Sequence, residues 1–214
     1  MKRIMCALVV STVLAAGIAP AAAASRQLTV GIVPFDVASV DGSGEQASTA
    51  LAKLVRIEMI REHALRPLLL TPPPGATTPI PDDQAVTIGR AAHADVVVVG
   101  TVIDADTSTS THSADTGGLL SGLGASLGAH LDRVTAHVTL HLDLIDPAAG
   151  KLVDSFEVEA KKSQSGVGAD FSTTLGGFDS GDDAWSNSPM GKALREAAQK
   201  VTTELAKRAS EFQH

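Results

Sequence analysis

The sequence predicts an α/β domain, a mixed β-sheet flanked by helices. Three observations carry this. Elements alternate β-α-β-α-β in the first half, four consecutive valines (Val96–Val99) mark a strand buried on both faces, and a long alternating strand at 133–145 is followed by a turn and a return strand.

Leu28 to Phe35 reads as the first strand, with β-branched residues ending in a proline, and Val37 to Gly44 as a polar loop. A helix at 45–62 follows, with Ala47, Ala50, Leu51, Leu54 and Ile57 on one face at helical spacing. Pro67 ends that element and Leu68–Leu70 makes a short strand. Thr71 to Pro81 is a proline-rich surface loop. Asp82 and Asp83 open a helix at 82–93, where acids suit the positive end of the helix dipole. The valine run then ends at Gly100.

In the second half, Val134, Ala136, Val138, Leu140, Leu142 and Leu144 alternate against Arg133, Thr135, His137, Thr139, His141 and Asp143. Asp146 to Gly150 turns the chain, and Leu152 to Glu159 returns it with Val153 and Phe156 available to the core. Ser188-Pro189 starts the last helix, 189–209, with a serine cap and a proline in the first turn. Leu194, Ala197, Ala198, Val201 and Leu205 form its apolar face.

Residues 1–24 read as a cleaved export signal: Lys2 and Arg3, an apolar run from Cys6 to Ile18, then Ala22-Ala23-Ala24 before Ser25. The run is shorter than the roughly 20 apolar residues of a spanning helix. Cys6 is the single cysteine and lacks the small residues that precede a lipoprotein cysteine, so neither a lipid anchor nor a disulfide is expected. Residues 25–214 are then one domain, located in the periplasm. Without Lys2 and Arg3, 15 bases face 24 acids, a net charge of −9. That surface repels phosphate, and with no tyrosine and one tryptophan, nucleic acid is not an expected partner.

Four segments in order carry a family resemblance: Val30–Asp36 (VGIVPFD), Ile88–Val102 (IGRAAHADVVVVGTV), the hairpin Val138–Val158 and the helix Ser188–Val201 (SPMGKALREAAQKV). Together they resemble the CsgG family, the curli-production secretion component. The resemblance implies a CsgG-like periplasmic domain with two Gly/Ser-rich inserted hairpins, here at 104–133 and 159–185. In the family's channels such hairpins from several subunits build a transmembrane β-barrel that passes unfolded curli subunits. It therefore implies a homo-oligomer with envelope-protein partners and contact with the outer membrane. The other reading is a soluble periplasmic protein-binding scaffold, or an envelope-enzyme activator, with no pore.

A barrel strand needs 9–11 residues with alternate side chains toward lipid. Leu119, Leu123, Leu127 and Leu131 share one face, as do Val167, Phe171 and Leu175, and these are the candidate membrane or oligomer face. The leucines also recur every four residues, as on a helix, and the glycines between them suit a loop; strand, helix and loop all stay open for this stretch. The partner stretches are polar: Asp104, Asp106, Ser108 and Ser110 alternate with Ala105, Thr107 and Thr109, and 178–188 is acidic. The loop at 37–44 has no aromatic residue, whereas aromatic side chains line the constriction of the family's channels.

No catalytic constellation is present and no cofactor or metal is expected, so the chain reads as acting by assembly or binding and not as an enzyme. His137 and His141 share a strand face roughly 13 Å apart at about 3.3 Å per residue, too far to hold one metal between them. His112, Asp115 and His130 would converge only if the loop folded back. Asp104/Asp106 and Asp182/Asp183 lack a full oxygen-ligand pattern for calcium. The Gly-x-Gly pairs at 42–44 and 122–124 lack the rest of a dinucleotide fingerprint.

Overall fold

The structure, a computed structural model, describes residues 27–37, 45–63, 65–113, 130–166 and 183–209. Its strands are β1 (Leu28–Ile32), β2 (Leu65–Leu69), β3 (Val96–Ser113), β4 (His130–Asp146) and β5 (Lys151–Gly166). They form one sheet in the order β2-β1-β3-β4-β5. β1 runs parallel to β2 and β3; β4 is antiparallel to β3, and β5 to β4. The helices are α1 (Glu45–Glu62), α2 (Asp82–Ala91), α3 (Asp183–Asn187) and α4 (Pro189–Ala209). This is the mixed sheet flanked by helices that the alternation predicts.

Both faces of the valine run are used. Val96 and Val98 join the large core under α1 and α4, while Val97 and Val99 join a smaller core with Val33, Leu70, Ala85, Val86 and Ile145 under α2. The inward set of β4, Val134 to Leu144 at every second residue, is buried throughout, and from Ala136 on it completes the large core with Phe156, Leu194 and Val201. Burying this apolar surface is the main stabilising term of the domain. α4 docks its last turn on β5. Arg208 pairs with Asp154 and Glu204 at 2.6 Å each and lies 4.3 Å over the Phe156 ring. Between β4 and β5, Asp146 accepts hydrogen bonds from the Ala148 and Ala149 amides at 2.7 and 2.9 Å, and Gly150 takes a φ of 69° to close the turn.

Four local expectations are corrected. β2 starts at Leu65, so Pro67 lies inside the strand, opposite Val30. β2 is an edge strand, where a missing N–H need not break a ladder. The buried face of α1 is Ala47, Leu51, Ala52, Val55 and Met59, and Ile57 stands 47 % exposed, because the i, i+4 row and not the neighbouring row meets the sheet. Val153 is exposed, because a register shift sets Leu152 opposite Ile145 and Asp154 opposite Leu144, leaving Val153 as the extra residue. A short helix, α3, precedes Ser188, and its Trp185 is buried in the large core.

Strand pairing runs well past the parallel part of the sheet. β3 and β4 stay in register out to Ser113 opposite His130, and β4 and β5 out to Asp132 opposite Gly166. Residues 104–109 and 159–164 are therefore part of the domain's sheet, with α4 reaching it through Lys192 to Gln164 at 2.9 Å and Glu196 to Lys162. Among the described residues no helix is long and apolar enough to cross a membrane, which leaves crossing by strands untouched.

Candidate functional site

α2 covers only one end of its face of the sheet. Further out, β3, β4 and β5 present a polar surface to water. His137 is at its centre, with its side chain 29 % exposed. Its Nε2 lies 2.8 Å from Glu159 Oε1 on β5. Its Nδ1 lies 3.3 Å from Asp104 Oδ2 and 3.7 Å from Asp106 Oδ1 on β3. Lys161 is directly opposite on β5 and exposed. The hydrogen bond to Glu159 raises the His137 pKa above its ordinary 6.5; partial burial opposes this, and Asp104 adds to the rise. Two pleat repeats away, His141 has Asp143 at 3.2 Å and Glu157 at 3.4 Å.

The two histidines share a face, as the alternation predicts. The acids around His137 were not visible as its neighbours in the sequence. Ile103 is an extra residue in β3: Val102 pairs with Leu140, and Asp104 with the next residue, Thr139. In unbroken alternation Asp104 and Asp106 would follow Val102 onto the core face. The bulge turns them to the open face beside His137, leaving Ile103 itself 46 % exposed.

A second concavity lies where β1 and β2 end, the side on which open α/β sheets bind ligands. It encloses about 640 Å³ between Pro34, Asp36, Ser48, Leu70 and the proline-rich loop 72–80. The Ser48 hydroxyl donates to the Phe35 carbonyl at its rim. Prolines and small residues dominate this lining, and among the described residues no convergent set of polar side chains points to a chemistry.

Of the proposed membrane or oligomer face, Leu119, Leu123, Leu127, Val167, Phe171 and Leu175 lie outside the described residues. Leu131 is placed only by its backbone, opposite His112 in the β3–β4 ladder. The side chains of His112 and His130, Asp115, and both Gly-x-Gly pairs are likewise outside what the structure describes.

Residues 75–213 match the family model described as curli production assembly/transport component CsgG. No curated protein matches the chain. Among solved structures, the hypothetical protein CT253 from Chlamydia trachomatis aligns with a TM-score of 0.53 and 10 % identity, over 85 % of this chain and 96 % of that one. A PelC dodecamer from Paraburkholderia phytofirmans aligns at 0.46 with 13 % identity, over 84 % and 88 %. Protein XCC0632 from Xanthomonas campestris aligns at 0.43 with 12 % identity, over 87 % and 86 %. The likeness to the first is one of fold.

Proposed function

The chain belongs to the CsgG family, and from that membership we propose that it is a cell-envelope component that self-associates and assists export or assembly of a surface polymer. In this reading residues 1–24 are a cleaved signal, and the mature chain works from the periplasm at the outer membrane. It acts by assembly and not by catalysis.

One observation carries the reading. The strand ends Ser113, His130 and Gly166 lie side by side at one end of the sheet, through the pairings Ser113–His130 and Asp132–Gly166. The described strand ends on either side of 114–129 and just before 167 are thus neighbours, as the roots of two arms of a shared outer ribbon would be. β5 supports self-association: among the described residues it pairs only with β4, so 16 residues of backbone form one edge of the sheet. Such an edge is a template for a strand of another copy. In the channel form of this reading, the arms of several copies close a barrel, with Leu119, Leu123, Leu127, Leu131, Val167, Phe171 and Leu175 toward lipid.

The second reading, a periplasmic scaffold without a pore, is favoured by the described outer strands themselves. Asp104, Asp106, Ser108 and Ser110 on β3 are exposed and give no lipid-facing row. Membrane fractionation followed by sizing in detergent separates the two. The channel form expects the protein in outer membranes as a salt-resistant, heat-modifiable oligomer. An oligomer released in the periplasmic wash selects the scaffold, and a monomer there overturns the self-association common to both.

A further inference from the structure

The contacts of His137 differ on its two sides. The 2.8 Å contact of Nε2 with Glu159 is a full hydrogen bond, so the proton of a neutral ring sits on Nε2 and points at that carboxylate. Nδ1 then turns its lone pair toward Asp104 at 3.3 Å and Asp106 at 3.7 Å. The first is a long hydrogen bond when Nδ1 carries a proton, and the second is beyond hydrogen-bond reach. A lone pair facing two carboxylates is repulsive unless something positive lies between them. That is either a second proton or a cation.

The spacing suits a cation. Four ligands about 2.0–2.2 Å from a metal in tetrahedral array lie roughly 3.3–3.6 Å from one another. The ligand atoms of Asp104, Asp106 and His137 all lie within 4.8 Å of one another, with the two carboxylates exposed and free to adjust their rotamers. A histidine that ligates through one nitrogen while the other donates to a carboxylate is the usual support of a metal site, and Glu159 occupies that supporting position. All four residues stand on paired strands, so the set is held by the ladder and not by a loop.

We propose that Asp104, Asp106 and His137 bind a first-row divalent cation of the zinc type through Oδ2, Oδ1 and Nδ1, with Glu159 orienting the imidazole and water completing the coordination. One imidazole and two carboxylates favour zinc over calcium or magnesium, which take oxygen alone. The site lies where β3, β4 and β5 run out together, so the ion would tie β3 to β4 at the base of the outer strands.

The test is titration of zinc chloride into the purified, untagged, chelator-stripped protein, by calorimetry and by imidazole nitrogen NMR at constant pH. We expect one saturable site per chain that survives excess magnesium, with zinc moving the Nδ1 resonance of His137 and not that of His141. His137→Gln and Asp106→Asn should each weaken binding tenfold or more, and Glu159→Gln about tenfold. His141→Gln should leave it unchanged. Circular dichroism of each variant guards against unfolding. Absence of saturable binding at submillimolar zinc, or binding that survives His137→Gln in a folded protein, overturns the proposal in favour of a second proton on His137.

Discussion

Glu196 on α4 and Lys162 on β5 form an ion pair that joins the helix to the outer part of the sheet, and Lys200 closes on the same carboxylate at 3.0 Å. The hydrogen bond from Lys162, then that from Lys200, holds the Glu196 pKa below its ordinary 4.5. A depressed carboxylate pKa gives stability that is fully present above the unfolded value and is lost as pH falls through the folded one. Glu196→Gln should therefore lower stability at pH 7 by no more than about 1 kcal/mol, since both lysines are substantially exposed. The gap between variant and wild type should close below about pH 4.5, which urea unfolding at pH 7, 5 and 3 measures. A gap that persists unchanged at pH 3 would show that the residue acts through packing.

Ser188 caps α4. Its hydroxyl donates to the Trp185 carbonyl at 2.7 Å and accepts from the Gly191 amide at 3.0 Å, in a buried position. The variant Ser188→Ala removes the acceptor for one of the orphan amides of the helix start and should cost about 1–2 kcal/mol. The expected readout is a lower urea midpoint with an unchanged slope.

Gly100 lies under the ring of Phe35, which is fully buried. A Cβ at this position would run into the ring. Gly100→Ala should cost about 1–3 kcal/mol, and the melting temperature should fall by roughly 2–4 °C per kcal/mol. Combining it with Phe35→Leu should recover part of the loss. Additive losses in the double variant would mean that the two residues are not coupled.

Much of this frame was legible in the sequence where one local rule acts alone. The period-two alternation of 133–145 is enough to place six inward side chains, because β4 has neighbours on both sides and one wholly buried face. Ser188-Pro189 is legible as a helix start because a cap depends only on its own turn. What escaped depends on partners. The row of α1 that packs inward is decided by where β2 and α4 lie. Pro67 is admissible only because β2 is an edge. Two of the acids beside His137, Asp104 and Asp106, are more than thirty positions from it, and they reach its side of the sheet only through a bulge that no residue type announces. The run of Ser and Thr in 107–111 has no apolar alternation to mark it, yet it is strand, because its neighbours complete a ladder that β4 has already begun.

The spare residue at Ile103 also has a mechanical meaning. The ladder would close without it, since Val102 and Asp104 already meet consecutive partners on β4. What an extra residue adds is coiling: it tightens the right-handed twist and bends its strand. It does so between the inner half of β3, whose Val97 and Val99 pack beneath α2, and the outer half, which leads to Ser113 opposite His130. The heading on which those two strand ends depart from the body is thus steered from a single pivot near their base.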